Sequence, residues 1–108
     1  MANALSDVQE TFTSLDQNYN VLLAACQTEE ERAALAALYV EAEKKYWDCV
    51  NQTLEADDDQ VASLDKDLQA DNEQIKNAVT FMGNMGKVID VVTDALKIGG
   101  QLMKLAGI

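Results

Sequence analysis

The sequence predicts a small all-α protein, an antiparallel bundle of four helices in a single domain covering residues 1–108. Three observations lead to this prediction. The chain has no Pro and only 5 Gly, so few residues interrupt helical hydrogen bonding. Apolar residues recur at steps of three and four along most of its length. Residues with the spacing of helix caps separate the periodic segments.

The first helix is predicted over approximately residues 5–26. Its apolar residues form one narrow seam, as is typical of a helix that packs against a single neighbour: Leu5, Val8, Phe12, Leu15, Tyr19, Leu22 and Cys26. Ser6 and Gln9 have the spacing of a capping box near the start of this helix.

The second helix is predicted over approximately residues 29–56. Thr28 and Glu31 have capping-box spacing, and acidic residues 29–31 suit the positive end of a helix dipole. The main apolar stripe consists of Leu35, Leu38, Tyr39, Ala42, Tyr46, Cys49 and Val50. A second stripe, about 120° around the helix, consists of Ala36, Val40, Trp47 and Leu54. This wide apolar arc predicts two neighbouring helices and indicates that the second helix is the central element of the bundle.

The third helix is predicted over approximately residues 59–82, and any of Asp57, Asp58 and Asp59 has the right chemistry to cap it. Its seam consists of Val61, Leu64, Leu68, Asp71, Ile75, Ala78 and Met82. Asp71 is the one charged residue in this seam. It is either a local defect in the packing or a buried polar group that fixes the register of the helices.

The fourth helix is predicted over approximately residues 86–105, with apolar residues on one face and Lys87, Asp90, Asp94, Lys97, Gln101 and Lys104 on the other. Gly83 and Gly86 favour a turn before it. The heptad register nevertheless continues across these glycines. The alternative is therefore three helices, with one long third helix running through Gly83 and Gly86.

The net charge of −11 argues against direct nucleic-acid binding and favours a basic protein partner. Residues 57–73 are the most acidic part of the chain. Two interpretations compete for this stretch, a solvated helix face and a docking surface. The longest charge-free stretch near the C-terminus, residues 77–86, is too short to cross a bilayer, which needs about 20 residues. We expect no transmembrane segment and a cytoplasmic location. The alternative location is outside the cell, reached through a secretion system that needs no signal peptide.

The sequence lacks the residues and motifs of the common catalytic sites. There is no His, which excludes Ser-His-Asp and Cys-His catalysis, and no glycine-rich phosphate loop is present. Residues 65–73 resemble a calcium loop in part, but Ala70 stands where that loop needs Gly, and Lys76 stands where it needs Glu. We therefore expect no enzyme activity, no cofactor and no metal site. Cys26 and Cys49 are predicted to be buried, unpaired thiols, since about 30 Å of helix separates them.

The predicted function is a non-catalytic protein–protein interaction module, of the immunity, inhibitor, chaperone or adaptor type, that docks a basic partner through an acidic helical surface. The candidate partner-binding residues are Asp57, Asp58, Asp59, Asp65, Asp67, Asp71, Glu73 and Trp47. Trp47 itself has two interpretations, a second core stripe and an exposed interaction residue. The alternative function is an exported or self-assembling helical protein whose C-terminal amphipathic segment associates with membranes or multimerises. A homo-oligomer is compatible with either function.

Overall fold

The computed structural model describes residues 3–55, 58–78 and 84–108, and within these ranges the chain forms four α-helices. They are α1 (Ala4–Ala25), α2 (Glu29–Cys49), α3 (Asp59–Lys76) and α4 (Met85–Leu105). The fold is the small helical bundle that the sequence predicts. Its overall dimensions are 42 × 22 × 18 Å.

The third and fourth helices are separate elements. Asn77 caps the end of α3, and Asn84 caps the start of α4 by accepting a hydrogen bond from the Lys87 amide. Gln60 near the start of α3 lies beside Leu105 at the end of α4, so the two helices run antiparallel. The alternative of one long helix through Gly83 and Gly86 is therefore wrong. Gly83, Met82 and the predicted end of the third helix lie outside the described residues.

The start of α1 is tied to the segment that follows α2. Asn3 caps α1, and its Oδ1 accepts hydrogen bonds from the amides of Leu5 (3.1 Å) and Leu54 (2.9 Å). The Ala4 amide donates to the Leu54 carbonyl at 2.8 Å. The predicted capping role of Ser6 is wrong, because the Ser6 hydroxyl donates to the Asn3 carbonyl within the first turn.

The second helix is capped as predicted but ends earlier than expected. Thr28 accepts a hydrogen bond from the Glu31 amide at 3.1 Å. The predicted end near residue 56 is wrong, because α2 stops at Cys49. Val50 is extended and Asn51 adopts a left-handed conformation with φ 67°, which Asn tolerates better than most residues. The chain then runs beside Asn3, where the backbone groups of Gln52 and Leu54 are hydrogen-bonded to Asn3 and Ala4.

The core is centred on α1 and α4 rather than on α2. Within the described ranges, α1 and α4 each contact the other three helices, whereas α2 and α3 make no contact with each other. The prediction that the second helix is central is therefore wrong. The apolar face of α4 is almost entirely covered, and its buried residues are Met85, Val88, Val92, Ala95, Leu96, Ile98, Gly99, Leu102 and Met103. A Cβ atom on Gly99 would lie 3.4 Å from a Val8 methyl, so this glycine allows α4 to approach α1 closely.

The helix α2 packs through one stripe only. Leu35, Ala42 and Cys49 are buried, and the rings of Tyr39 and Tyr46 lie against Phe12 of α1 with centroid separations of 5.3 and 5.4 Å. The second predicted stripe faces outward, since Val40 and Trp47 are each 64% exposed. The interpretation of Val40 and Trp47 as a second core stripe is therefore wrong, whereas Leu54, which lies beyond the end of α2, is partly buried against the core.

Cys26 and Cys49 are buried and unpaired, in agreement with the sequence analysis. Cys26 caps the end of α1, and Cys49 is the last residue of α2. Burial raises the pKa of both thiols, which disfavours the reactive thiolate. No helix in the described part of the chain is long and apolar enough to cross a membrane.

Candidate functional site: the groove between α3 and α4

The acidic residues at the start of α3 stabilise the N-terminus of that helix. Asp58 is the N-cap, and its Oδ1 accepts hydrogen bonds from the amides of Gln60 (2.8 Å) and Val61 (3.3 Å). Asp59 lies in the first turn, where its charge complements the helix dipole. Asp57 lies outside the described residues. Asp58 therefore stabilises α3, and its substitution is expected to affect folding as well as surface charge.

The remaining candidate residues of α3 do not share one surface. Asp67 and Glu73 are exposed, whereas Asp65 and Asp71 are only 4% and 9% exposed. The interpretation of Asp65 as part of a solvated docking face is therefore wrong. The physical reason is that α3 packs against α1 on one side and α4 on another, so two sides of the helix are covered.

Asp65 faces the Asp7 carboxyl of α1. The amide nitrogen of Gln69 donates to Asp7 Oδ2 at 3.1 Å and to Asp65 Oδ2 at 3.2 Å, bridging the two side chains. Asp65 Oδ1 is buried and has no N–H or O–H donor among the described residues. Burial and the neighbouring Asp7 carboxyl raise the pKa of Asp65 to about 7. Next to Asp7, Asp65 therefore stays in its protonated, neutral form to a higher pH than an exposed aspartate would.

Polar side chains continue along the same α1–α3 interface. Asn72 is 1% exposed, its Oδ1 accepts from the Thr11 hydroxyl at 2.6 Å, and its amide nitrogen donates to the Asp7 carbonyl at 2.9 Å. A buried hydrogen-bonded pair of this kind is satisfied in only one register of the two helices. These contacts therefore position α3 on α1.

Asp71 faces the other way, toward Asp94 of α4. Burial and the Asp94 carboxyl raise the pKa of Asp71 to about 7, with Asp67 adding a smaller repulsion. Asp71 Oδ2 is buried and finds no donor in the described part of the chain. Of the two interpretations of Asp71 offered by the sequence, the structure supports a buried polar group at the contact between two helices.

A groove of about 400 Å³ opens between α3 and α4 at this pair of carboxyls. Three carboxylates line it, contributed by Asp67, Asp71 and Asp94, together with Lys97 and the apolar side chains of Leu64 and Ile98. Asp94 is exposed whereas Asp71 is buried, so the negative charge extends from solvent into the contact between the helices.

A second hollow of about 460 Å³ continues the groove toward the start of α3 and the end of α4. Leu64 and Gln101 line both hollows, which are therefore contiguous. Leu105, which is 42% exposed, lines the second hollow together with Gln60 and Ser63. The groove as a whole has an acidic end and an apolar end, and the basic side chain of Lys104 also lines the apolar end.

The chemistry of this groove suits the binding of a cation or a basic side chain. Residues 65–73 lie within the continuous helix α3, so they do not form the calcium loop that their spacing suggests in part. No group of three or more His, Cys, Asp or Glu side chains in the described ranges is arranged to hold a metal ion. A positive group that satisfies two neighbouring carboxylates is the simplest ligand for the site.

Trp47 does not belong to this groove. It lies on α2, which does not touch α3 in the described ranges, and its ring packs edge-on against Tyr46 at 5.3 Å. Its exposure agrees with the interpretation of Trp47 as an exposed interaction residue. The acidic groove and Trp47 are therefore two separate surface features.

Asp94 is the groove residue that the sequence analysis missed. Asp94 was predicted only to lie on the polar face of the fourth helix. A signal for it was present, because Asp71 and Asp94 are equidistant from the Met82–Gly83 bond in the sequence. An antiparallel helical hairpin centred on that bond brings such residues opposite each other, as it does for Leu64 and Gln101.

No protein-family model, curated protein or solved structure matches this chain.

Proposed function

We propose that this protein is a non-catalytic interaction module that docks a basic protein partner in the groove between α3 and α4. The observation that carries the proposal is the line of carboxylates from exposed Asp67 and Asp94 to buried Asp71. The net charge of −11 would steer a basic partner toward the molecule before contact.

The shape of the groove supports the same function. Its apolar end, with exposed Leu105, can bury an apolar side chain of the partner beside the acidic end. Protein interfaces commonly combine such a buried apolar contact with polar groups that set orientation and specificity. Asp67 and Asp94 are the groove residues that a partner meets first.

No structural observation favours the alternative function, membrane association through the C-terminal segment. The apolar face of α4 packs against α1, α2 and α3. A membrane would have to compete with the core for this face.

The proposal is tested by comparing two double variants, each of which removes two exposed carboxylates. The groove variant combines Asp67→Asn with Asp94→Asn, and the matched control combines Glu30→Gln with Glu43→Gln on α2. A partner is isolated with wild-type protein from the native host and identified by mass spectrometry. Its association rate with each protein is then measured across a salt series.

We expect a basic partner whose association is slowed several-fold at low salt by the groove variant and much less by the control. This difference is expected because groove charges act at the contact, whereas charges on α2 contribute only to the general field. The proposal fails if the two double variants slow association equally, or if the partner is an acidic protein.

A further inference from the structure

The carboxyls of Asp71 and Asp94 lie together in the groove and need a positive charge or a proton to offset their repulsion. Asp71 is nine-tenths buried and lines the groove, and the nearest group opposite it is another carboxyl. Two carboxylates repel each other unless a proton or a cation lies between them. Asp71 Oδ2 has no other donor in the described ranges.

Among the described residues, Lys97 is the basic side chain that lines the acidic end of the groove, and Lys104 lines the second hollow. Lys97 lies one turn beyond Asp94 on α4 and is exposed. None of the ion pairs found in the described ranges involves Lys97. The charged groups around Asp71 are thus Asp67 on its own helix and Asp94 and Lys97 on α4. The site is left with more negative charge than the molecule itself neutralises.

We propose that the Asp71–Asp94 pair is a binding site for an arginine side chain of the partner, which enters the groove between α3 and α4. This inference rests on the proposed function and names the chemical group of the partner that the groove recognises. A guanidinium has five N–H donors in a planar fork, so it can donate to both carboxylates at once. It is also weakly hydrated, which suits a site with Leu64 and Ile98 beside the charges.

Binding of this kind is coupled to pH. The guanidinium competes with the proton on Asp71, so it binds only molecules in which Asp71 is ionised. The pKa of Asp71 is about 7, so roughly a tenth of the molecules are competent at pH 6 and roughly nine-tenths at pH 8. The apparent dissociation constant is therefore expected to be about tenfold lower at pH 8 than at pH 6.

The test uses the full chain and a single small probe, acetylated arginine methylamide. Binding is followed by NMR, from the carboxyl carbon signals of the aspartates, at pH 6 and pH 8. We expect the signals of Asp71 and Asp94 to shift on binding. We also expect the affinity to rise about tenfold between the two pH values.

Two variants make the result specific. Asp71→Asn keeps the shape of the neutral side chain and should weaken binding several-fold while abolishing its pH dependence. Asp65→Asn is the matched control, since Asp65 is equally buried in the same helix but faces Asp7 and not the groove. Binding by the Asp65→Asn protein should equal that of the wild type. Circular dichroism of both variants verifies that the helices are intact.

Three outcomes would overturn the inference: equal affinity at pH 6 and pH 8, unchanged binding by Asp71→Asn, or equally tight binding of the corresponding lysine derivative. These outcomes are distinct from failure of the proposed function, which is judged by the association of a whole protein partner. A partner that is sensitive to the groove variant, with no arginine binding at Asp71, would leave the docking function standing and remove only the arginine site.

Discussion

Two aspartates of α3, Asp65 and Asp71, are buried at contacts with neighbouring helices. Asp71 occupies a seam position between Leu68 and Ile75, so its place on a helix contact was visible in the sequence. Asp65 lies outside that seam. Its burial depends on α1 packing against a second side of α3, and the contacts on that side are polar, as at Thr11 and Asn72. Hydrophobic periodicity does not register a polar interface of this kind.

At the level of single residues, we expect the two buried aspartates to titrate near neutral pH. Each is itself buried and faces another carboxyl, Asp7 or Asp94, and both effects raise its pKa. A pH titration of the aspartate carboxyl carbon signals by NMR measures this directly. Asp65 and Asp71 should change protonation near pH 7, about three units above an ordinary aspartate. Titration of both near pH 4 would show that the contacts are open to solvent.

At the level of elements, the sequence predicted the number and order of the helices well because every helix carries an apolar seam and a cap. It was less successful for α2. The wide apolar arc predicted two neighbouring helices, and α2 does contact both α1 and α4, but Val40 and Trp47 of the second stripe are exposed. Apolar residues on a surface are normal, so the width of an arc alone does not establish burial. The early end of α2 depends on pairing between Asn3 and Leu54, which are far apart in the sequence.

Because α4 is largely buried and α2 is partly exposed, substitutions in the two helices should differ in their effect on stability. Leu96 of α4 is 3% exposed, so Leu96→Ala should destabilise the protein by about 2–5 kcal/mol through lost burial and the cavity it leaves. Trp47 of α2 is 64% exposed, so Trp47→Ala should cost much less despite removing a larger side chain. Denaturant unfolding followed by circular dichroism measures both. A larger loss of stability from Trp47→Ala would contradict the assignment of α4 to the core.

At the level of the whole molecule, the acidic character of the chain has two distinct origins. Exposed carboxylates such as Asp67 and Glu73 give the surface its charge, and the sequence predicts these directly. Asp65 and Asp71 lie inside helix contacts, where they are more compatible with folding when protonated. The pairing of Asp71 with Asp94 has a signal in the sequence, but the groove between them depends on how α3 and α4 pack, which residue spacing does not determine.

We expect the packing of α3 to be most stable while the buried carboxyls of Asp65 and Asp71 are protonated, and the stability of the protein as a function of pH measures this. The pKa of each buried aspartate is higher in the folded protein than in the unfolded chain. The folded state therefore binds more protons between about pH 4 and pH 7, and the free energy of unfolding should fall as the pH rises through that range. Above pH 7 this contribution should change no further.

The measurement is denaturant unfolding of the wild type and of the double variant Asp65→Asn with Asp71→Asn, from pH 4 to pH 8. The wild type should lose stability up to about pH 7. The double variant should show a shallower fall and should be more stable than the wild type at pH 8, because Asn carries no charge to desolvate. The opposite result, a wild type that gains stability from pH 4 to pH 7 with a parallel curve for the double variant, would contradict the account.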